Sequence, residues 1–153
     1  VVPVITGAAE RDLWDLATEG RRLAQAARAG SLKPEELEGA TFSVTNLGMF
    51  GVTSFNPIIN QPQVGILGVG TAAPRLARKD DGEIVERRIM TLSFTFDHRA
   101  MDGAGAARFL QDVCSRLEEA DGIIAADGPA RGVPTRGAPA ARSDDSQNAK
   151  DTT

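Results

Sequence analysis

From Glu10 to Ala29 the apolar residues Leu13, Leu16, Ala17, Leu23, Ala24 and Ala27 recur at intervals of three and four. Arg21, Arg22, Gln25 and Arg28 fall mostly between them, which predicts an amphipathic helix. Trp14 sits on the border of the stripe as a packing residue, and Gly30 stands where a C-terminal cap is expected. Before this helix, Val1 to Ile5 reads as a strand, with Pro3 suiting an edge or a strand start. After it, Lys33 to Gly39 reads as a short helical turn with Pro34 at its first position. Thr41 to Thr45 alternates polar and apolar residues as a strand. A glycine-bracketed turn, Asn46 to Gly51, then carries Leu47, Met49 and Phe50. These are unusual in a solvated loop and read either as a binding wall or subunit contact, or as residues folded back onto the core.

The segment from Phe55 to Gln63 is irregular, with Asn56-Pro57 and Gln61-Pro62. Val64 to Gly70 is apolar on both faces, as in a buried central strand, and its glycines leave room for close packing. Two further strands, Arg75 to Lys79 and Glu83 to Phe96, are joined through Asp80-Asp81-Gly82, a hairpin composition. The second delivers the chain to His98. A last helix runs from Asp102 to about Glu119, with Ala106, Leu110, Val113, Cys114 and Leu117 on one stripe, so Cys114 reads as a small core residue. From Asp121 the pattern dissolves into Gly, Pro, Ala, Arg, Ser and Asp. Residues 1–120 are therefore expected to form the folded part, and residues 121–153 a disordered tail.

Composition adds exclusions. A net charge of −4 with 25% charged residues argues against a nucleic-acid surface, and no apolar run is long enough for a membrane helix. A single cysteine allows no disulfide within the chain and fits a reducing compartment. The opening on Val1-Val2-Pro3-Val4-Ile5, without methionine, predicts a piece cut from within a longer domain. Such a piece is expected to be inactive alone and to expose apolar surface.

Candidate chemistry centres on His98, the one histidine in 153 residues. Imidazole titrates near neutrality, and at a strand end four residues before Asp102 it suits a general base. A histidine satisfied within the core is the competing reading. Asp102 reads equally as the N-cap of the following helix, ordering the local backbone and the nearby arginines. Thr45, at a strand end beside a glycine-rich turn, offers a hydroxyl to a developing oxyanion, though threonine is also an ordinary strand former. No metal-ligand spacing, dinucleotide fingerprint or nucleophile elbow is present.

Four ordered stretches carry a resemblance: Thr41 to Gly51, Pro57 to Gln63, Ile66 to Gly70, and Asp97-His98-Arg99-Ala100-Met101-Asp102-Gly103. Together, from Val1 to about Glu119, they resemble the C-terminal half of the catalytic domain of dihydrolipoamide acyltransferases of 2-oxo acid dehydrogenase complexes. The resemblance implies an α+β fold of the chloramphenicol acetyltransferase type: two layers, a mixed β-sheet flanked by helices. It further implies homotrimers with sites between subunits and a larger core assembly.

In this resemblance His98 is the base that deprotonates the thiol of coenzyme A or dihydrolipoamide, and Thr45 stabilises the oxyanion. Asp102 matches the Asp or Asn of the family signature, and Thr45 and His98 meet across a subunit boundary, with Leu47, Met49 and Phe50 lining an interface or channel. The turn wording is nearer to acetyl-transferring than to succinyl-transferring members. The lipoyl group is expected on another domain, with coenzyme A as a substrate. Decarboxylase and dihydrolipoamide dehydrogenase subunits would be reached through the full-length chain, in the cytoplasm or the mitochondrial matrix. The alternatives are a chloramphenicol acetyltransferase-type enzyme acting on a hydroxylated acceptor and a non-catalytic scaffold subunit.

Overall fold

The computed structural model describes residues 1–120. The expected tail lies outside them. Helix α1 (Leu13–Ala29) begins where the Asp12 side chain accepts from the Asp15 N–H at 2.7 Å, and ends at Gly30 in the left-handed region, φ 67°. It starts three residues later than the apolar periodicity suggests, because Ala8–Glu10 forms a separate 3-10 turn and Asp12 takes the capping position. Leu23 is its buried anchor. Trp14 is half-buried, and its indole N–H has no acceptor among the described residues.

The short turn at Pro34–Glu36 is tied to α1 through Arg22, whose Nη2 donates to Glu36 at 2.6 Å and to Glu19 at 2.7 Å. The expected strand at Val1 to Ile5 is not formed. The Val4 N–H reaches the Glu36 carbonyl at 2.7 Å, but among the described residues no ladder partner lies beside the segment, and Pro3 has no N–H to offer.

Strands β1 (Ser43–Asn46), β2 (Gly65–Val69) and β5 (Leu92–Phe96) make a mixed sheet in the order β1-β2-β5. The first pair is parallel and the second antiparallel. Strands β3 (Ala73–Arg78) and β4 (Ile84–Ile89) form a separate antiparallel hairpin. The single strand expected from Glu83 to Phe96 is thus two strands in two sheets. At Met90-Thr91 the chain leaves β3. The Thr91 carbonyl then accepts from the Gly70 N–H at 3.0 Å, and β5 takes up β2 as its new partner. Helix α2 (Gly103–Glu118) follows.

Strand parity sorts the mixed sheet into two faces. Phe42, Val44, Leu67, Phe94 and Phe96 share one, where Phe94 and Phe42 meet Phe109 of α2 with ring centroids 4.8 and 5.9 Å apart. Ser43, Thr45, Ile66, Gly68, Ser93 and Thr95 share the other, which the irregular segment covers with Phe55 and Pro57.

Close approach requires glycine at β2 and its flank. A Cβ on Gly65 would lie 2.8 Å from the Phe94 ring, one on Gly48 2.5 Å from the Gly70 carbonyl, and one on Gly70 2.0 Å from the Thr53 carbonyl. The last two clashes are with backbone, which cannot rotate away. Replacement Gly70→Ala in the full-length protein is therefore expected to cost about 2 kcal/mol or more. The readout is the urea midpoint of the transition that melts this sheet, and an unshifted midpoint would contradict the close packing described.

Candidate active site

Where β5 ends, the Asp97 N–H still bonds to the Val64 carbonyl at 2.9 Å, and the chain then turns. The Asp97 carbonyl accepts from the N–H groups of Ala100 and Met101, so the turn closes over His98. His98 is exposed. Its ring lies against Phe96 with centroids 4.9 Å apart at 51°, and it has no hydrogen-bond partner among the described residues. Both ring nitrogens are open to a proton donor, so the reading of His98 as a satisfied core residue does not hold.

Asp102 caps α2. Its carboxylate accepts from the Gly105 N–H at 2.6 Å. The carboxylate that orders the nearby arginine is Asp97 instead: it takes a two-oxygen grip on Arg99, with contacts of 2.6 to 3.1 Å, and accepts from the Arg99 N–H at 2.9 Å. Three residues suffice to form this clamp because the tight turn brings side chain and backbone of Arg99 onto one carboxylate. Bonding to the Arg99 guanidinium and N–H holds the Asp97 carboxyl down to about 2. In chain order His98 stands between the two members of this ion pair.

Thr45 is half-buried on β1, and its hydroxyl has no partner among the described residues. It stands opposite Gly68, which stands opposite Ser93, and His98 lies five residues beyond Ser93. At about 3.3 Å per residue and 4.8 Å per strand, the two are separated by roughly 15–20 Å. Thr45 also points to the face covered by the irregular segment, whereas the His98 ring lies against Phe96, which is on the aromatic face. One chain does not bring them together. Met49 (76%) and Phe50 (74%) are exposed on the 3-10 turn Gly48–Phe50, while Leu47 is half-buried. The reading that all three fold back onto the core is therefore overturned for Met49 and Phe50. Gly48, pressed on the Gly70 backbone, anchors the turn from below.

Sequence reasoning missed an open groove between the irregular segment and β5, bordered by Asn56, Ile58, Gln61, Gln63, Thr95 and Arg99. The signal was the polar content of Asn56 to Gln63 next to the Asp97-His98-Arg99 run. It also missed the burial of Ser43, 6% exposed, beside Val44 at 64%.

Comparison with known proteins follows this geometry. Residues 1–125 match the family described as 2-oxoacid dehydrogenases acyltransferase (catalytic domain). The chain is 48% identical to the dihydrolipoyllysine-residue acetyltransferase component of the acetoin cleaving system of Bacillus subtilis, over 81% of this chain and 31% of that protein. It is 45% identical to the lipoamide acyltransferase component of the branched-chain alpha-keto acid dehydrogenase complex of Pseudomonas aeruginosa, over 77% and 27%. Among solved structures, the dihydrolipoamide acetyltransferase of Azotobacter vinelandii superposes with a TM-score of 0.75 at 36% identity, over 81% of this chain and 51% of that one. The chain thus spans about a third of the length of these two relatives.

Two outcomes follow from the site geometry. Asp97 is depressed from the ordinary 3.8 to about 2, so the stability of its pair with Arg99 is present above 3.8 and lost as pH falls through about 2. Unfolding followed between pH 4 and 2 should be less pH-sensitive in Asp97→Asn than in the parent, and equal slopes would contradict the pair. Asp102→Ala should lower stability by about 1 kcal/mol through loss of the cap, whereas Asp102→Asn should not. Equal melting of the two variants would contradict the capping role.

Proposed function

The chain belongs to the 2-oxoacid dehydrogenase acyltransferase family, and from that premise we propose that it supplies part of a catalytic domain moving an acetyl group between dihydrolipoamide and coenzyme A. The observation that carries this reading is the exposed, unpartnered imidazole of His98, held by a capped strand-to-helix junction in a chain of this family. His98 accepts the proton of the attacking thiol, the thiolate adds to the thioester carbonyl, and the Thr45 hydroxyl donates to the oxyanion. Collapse breaks the original carbon–sulfur bond, and the departing thiolate takes the proton back from His98. No covalent bond to the protein forms.

Work on the Azotobacter enzyme concerns the role of a serine, a histidine and an asparagine in its catalytic mechanism, the last two four positions apart. Here Thr45, His98 and Asp102 offer the same order, with threonine replacing serine and aspartate replacing asparagine. The separation of Thr45 from His98 within one chain supports a site assembled from two copies, as in a trimer. Leu47, Met49 and Phe50 are then interface or channel residues. The lipoyl group belongs to another part of the full-length protein, and coenzyme A is the second thiol. Decarboxylase and dihydrolipoamide dehydrogenase subunits are the partners, in the cytoplasm or, in a eukaryote, the mitochondrial matrix. The Bacillus relative is named for acetyl transfer, the Pseudomonas relative for a branched-chain complex. Comparing acetyl-, isobutyryl- and succinyl-coenzyme A as substrates decides among acyl groups.

His98→Ala in the full-length assembled enzyme should cut kcat by about 10²–10⁴-fold. Thr45→Ala should cut it by about 10²-fold. Dissociating and reassembling the two inactive variants together should restore activity at about a quarter of the sites, since each restored site takes His98 from one copy and Thr45 from its neighbour. Full activity of His98→Ala would overturn the mechanism, and no recovery on mixing would overturn the shared site.

A further inference from the structure

We infer that Ser43, held by Asn60 and Gln63, is a positioning residue that sets the place of the Thr45 hydroxyl; the inference rests on the oxyanion role proposed for Thr45. Ser43 is the buried polar residue of the described chain, 6% exposed. Its hydroxyl donates to Gln63 Oε1 at 2.7 Å and accepts from Asn60 Nδ2 at 3.2 Å. The Gln63 N–H closes the same turn on the Asn60 carbonyl at 2.9 Å. A buried hydroxyl that both donates and accepts is fixed in rotation as well as in place.

Three features direct this network at Thr45. Thr45 lies two residues after Ser43 on the same face of β1, and Asn60 and Pro57 line the hollow into which both face. The Thr45 hydroxyl makes no hydrogen bond among the described residues, so its position is inherited from the β1 backbone. Strand β1 is an edge, bonded to β2 on one side, and among the described residues the Ser43 network is its polar tie to the covering segment. The same turn also reaches the other half of the site. Gln63 precedes Val64, whose carbonyl holds the Asp97 N–H beside His98. That contact is made by backbone next to Gln63, and the side-chain cluster itself is directed at Thr45.

The test uses the full-length assembled enzyme. Ser43→Ala, and Gln63→Met as a variant that leaves the strand untouched, should each lower kcat by about tenfold, as expected for a displaced donor. KM for both thiol substrates should stay within about twofold, and the pH midpoint of kcat should not move, because His98 is intact. Ser43→Thr, which keeps a hydroxyl, should recover most of the loss. The deciding comparison is the double variant Ser43→Ala with Thr45→Ala: acting through Thr45 predicts a double no slower than Thr45→Ala alone. Multiplying losses, an unchanged kcat in Ser43→Ala and Gln63→Met, or a lowered melting point with unchanged kcat overturns the inference while leaving the role of Thr45 standing. A harmless Thr45→Ala overturns the role of Thr45 directly, and the inference with it.

Discussion

The close packing of the central strand on both faces is the constraint from which the rest of the described fold follows. Strand β2 carries two ladders and is flattened by glycine wherever a neighbour must come near. At Gly65 the missing Cβ admits the Phe94 and Phe42 rings, which gather Phe109 and hence α2. At Gly68 it admits Phe55 and Pro57, which draw the irregular segment over the opposite face. At Gly70 it lets the backbone around Thr53 cross the strand end and pin the turn bearing Met49 and Phe50. Side chains at these positions would hold the layers apart, and each candidate catalytic residue stands on one of the layers so positioned.

Around His98 the chain controls charge by proximity rather than burial. Asp97 and Arg99, the residues before and after His98 in the chain, pair with each other, and Asp102 accepts from the Gly105 N–H. His98 is therefore left without a hydrogen-bonded carboxylate among the described residues. The exposed Met49 and Phe50 and the unpartnered hydroxyl of Thr45 belong with this picture. Apolar side chains exposed at a turn and a polar group without a partner are the two kinds of surface on which the proposed interface draws.

Local signals made some elements legible in the sequence. Gly30 and Asp102 mark helix ends by chemistry that needs no knowledge of the fold, and the unbroken apolar run at 64–70 could only be a strand covered on both sides. The split between β4 and β5 was hidden because one parity runs through Ile84, Met90, Leu92, Phe94 and Phe96, while the partner strand changes at Thr91. Alternation records which residues share a face, and a change of sheet leaves it intact. Ser43 shows the same limit from the other side. In the run Phe42-Ser43-Val44-Thr45 the polar parity looks solvated, yet Asn60 and Gln63, some twenty residues away, roof it over and satisfy the serine. For the site, local chemistry marked His98 and Thr45 as candidates and resemblance to a family gave them roles, but the distance between them depends on strand register, which no single motif encodes.

That distance has a consequence for how the reaction is kept in order. A proton acceptor and an oxyanion donor on one rigid strand pair would be aligned whenever the chain is folded. Here Thr45 and His98 leave opposite faces of the sheet, so in the proposed shared site their alignment would depend on how two copies seat against each other. Positional errors of about 1 Å at such a junction cost as much as losing a donor outright. A site divided in this way needs each half to be stiff in its own chain before the halves meet. The capped turn around His98 and the buried Ser43 cluster behind Thr45 are where the described chain provides that stiffness. Both are built from short polar contacts to the backbone or between side chains, which fix position locally.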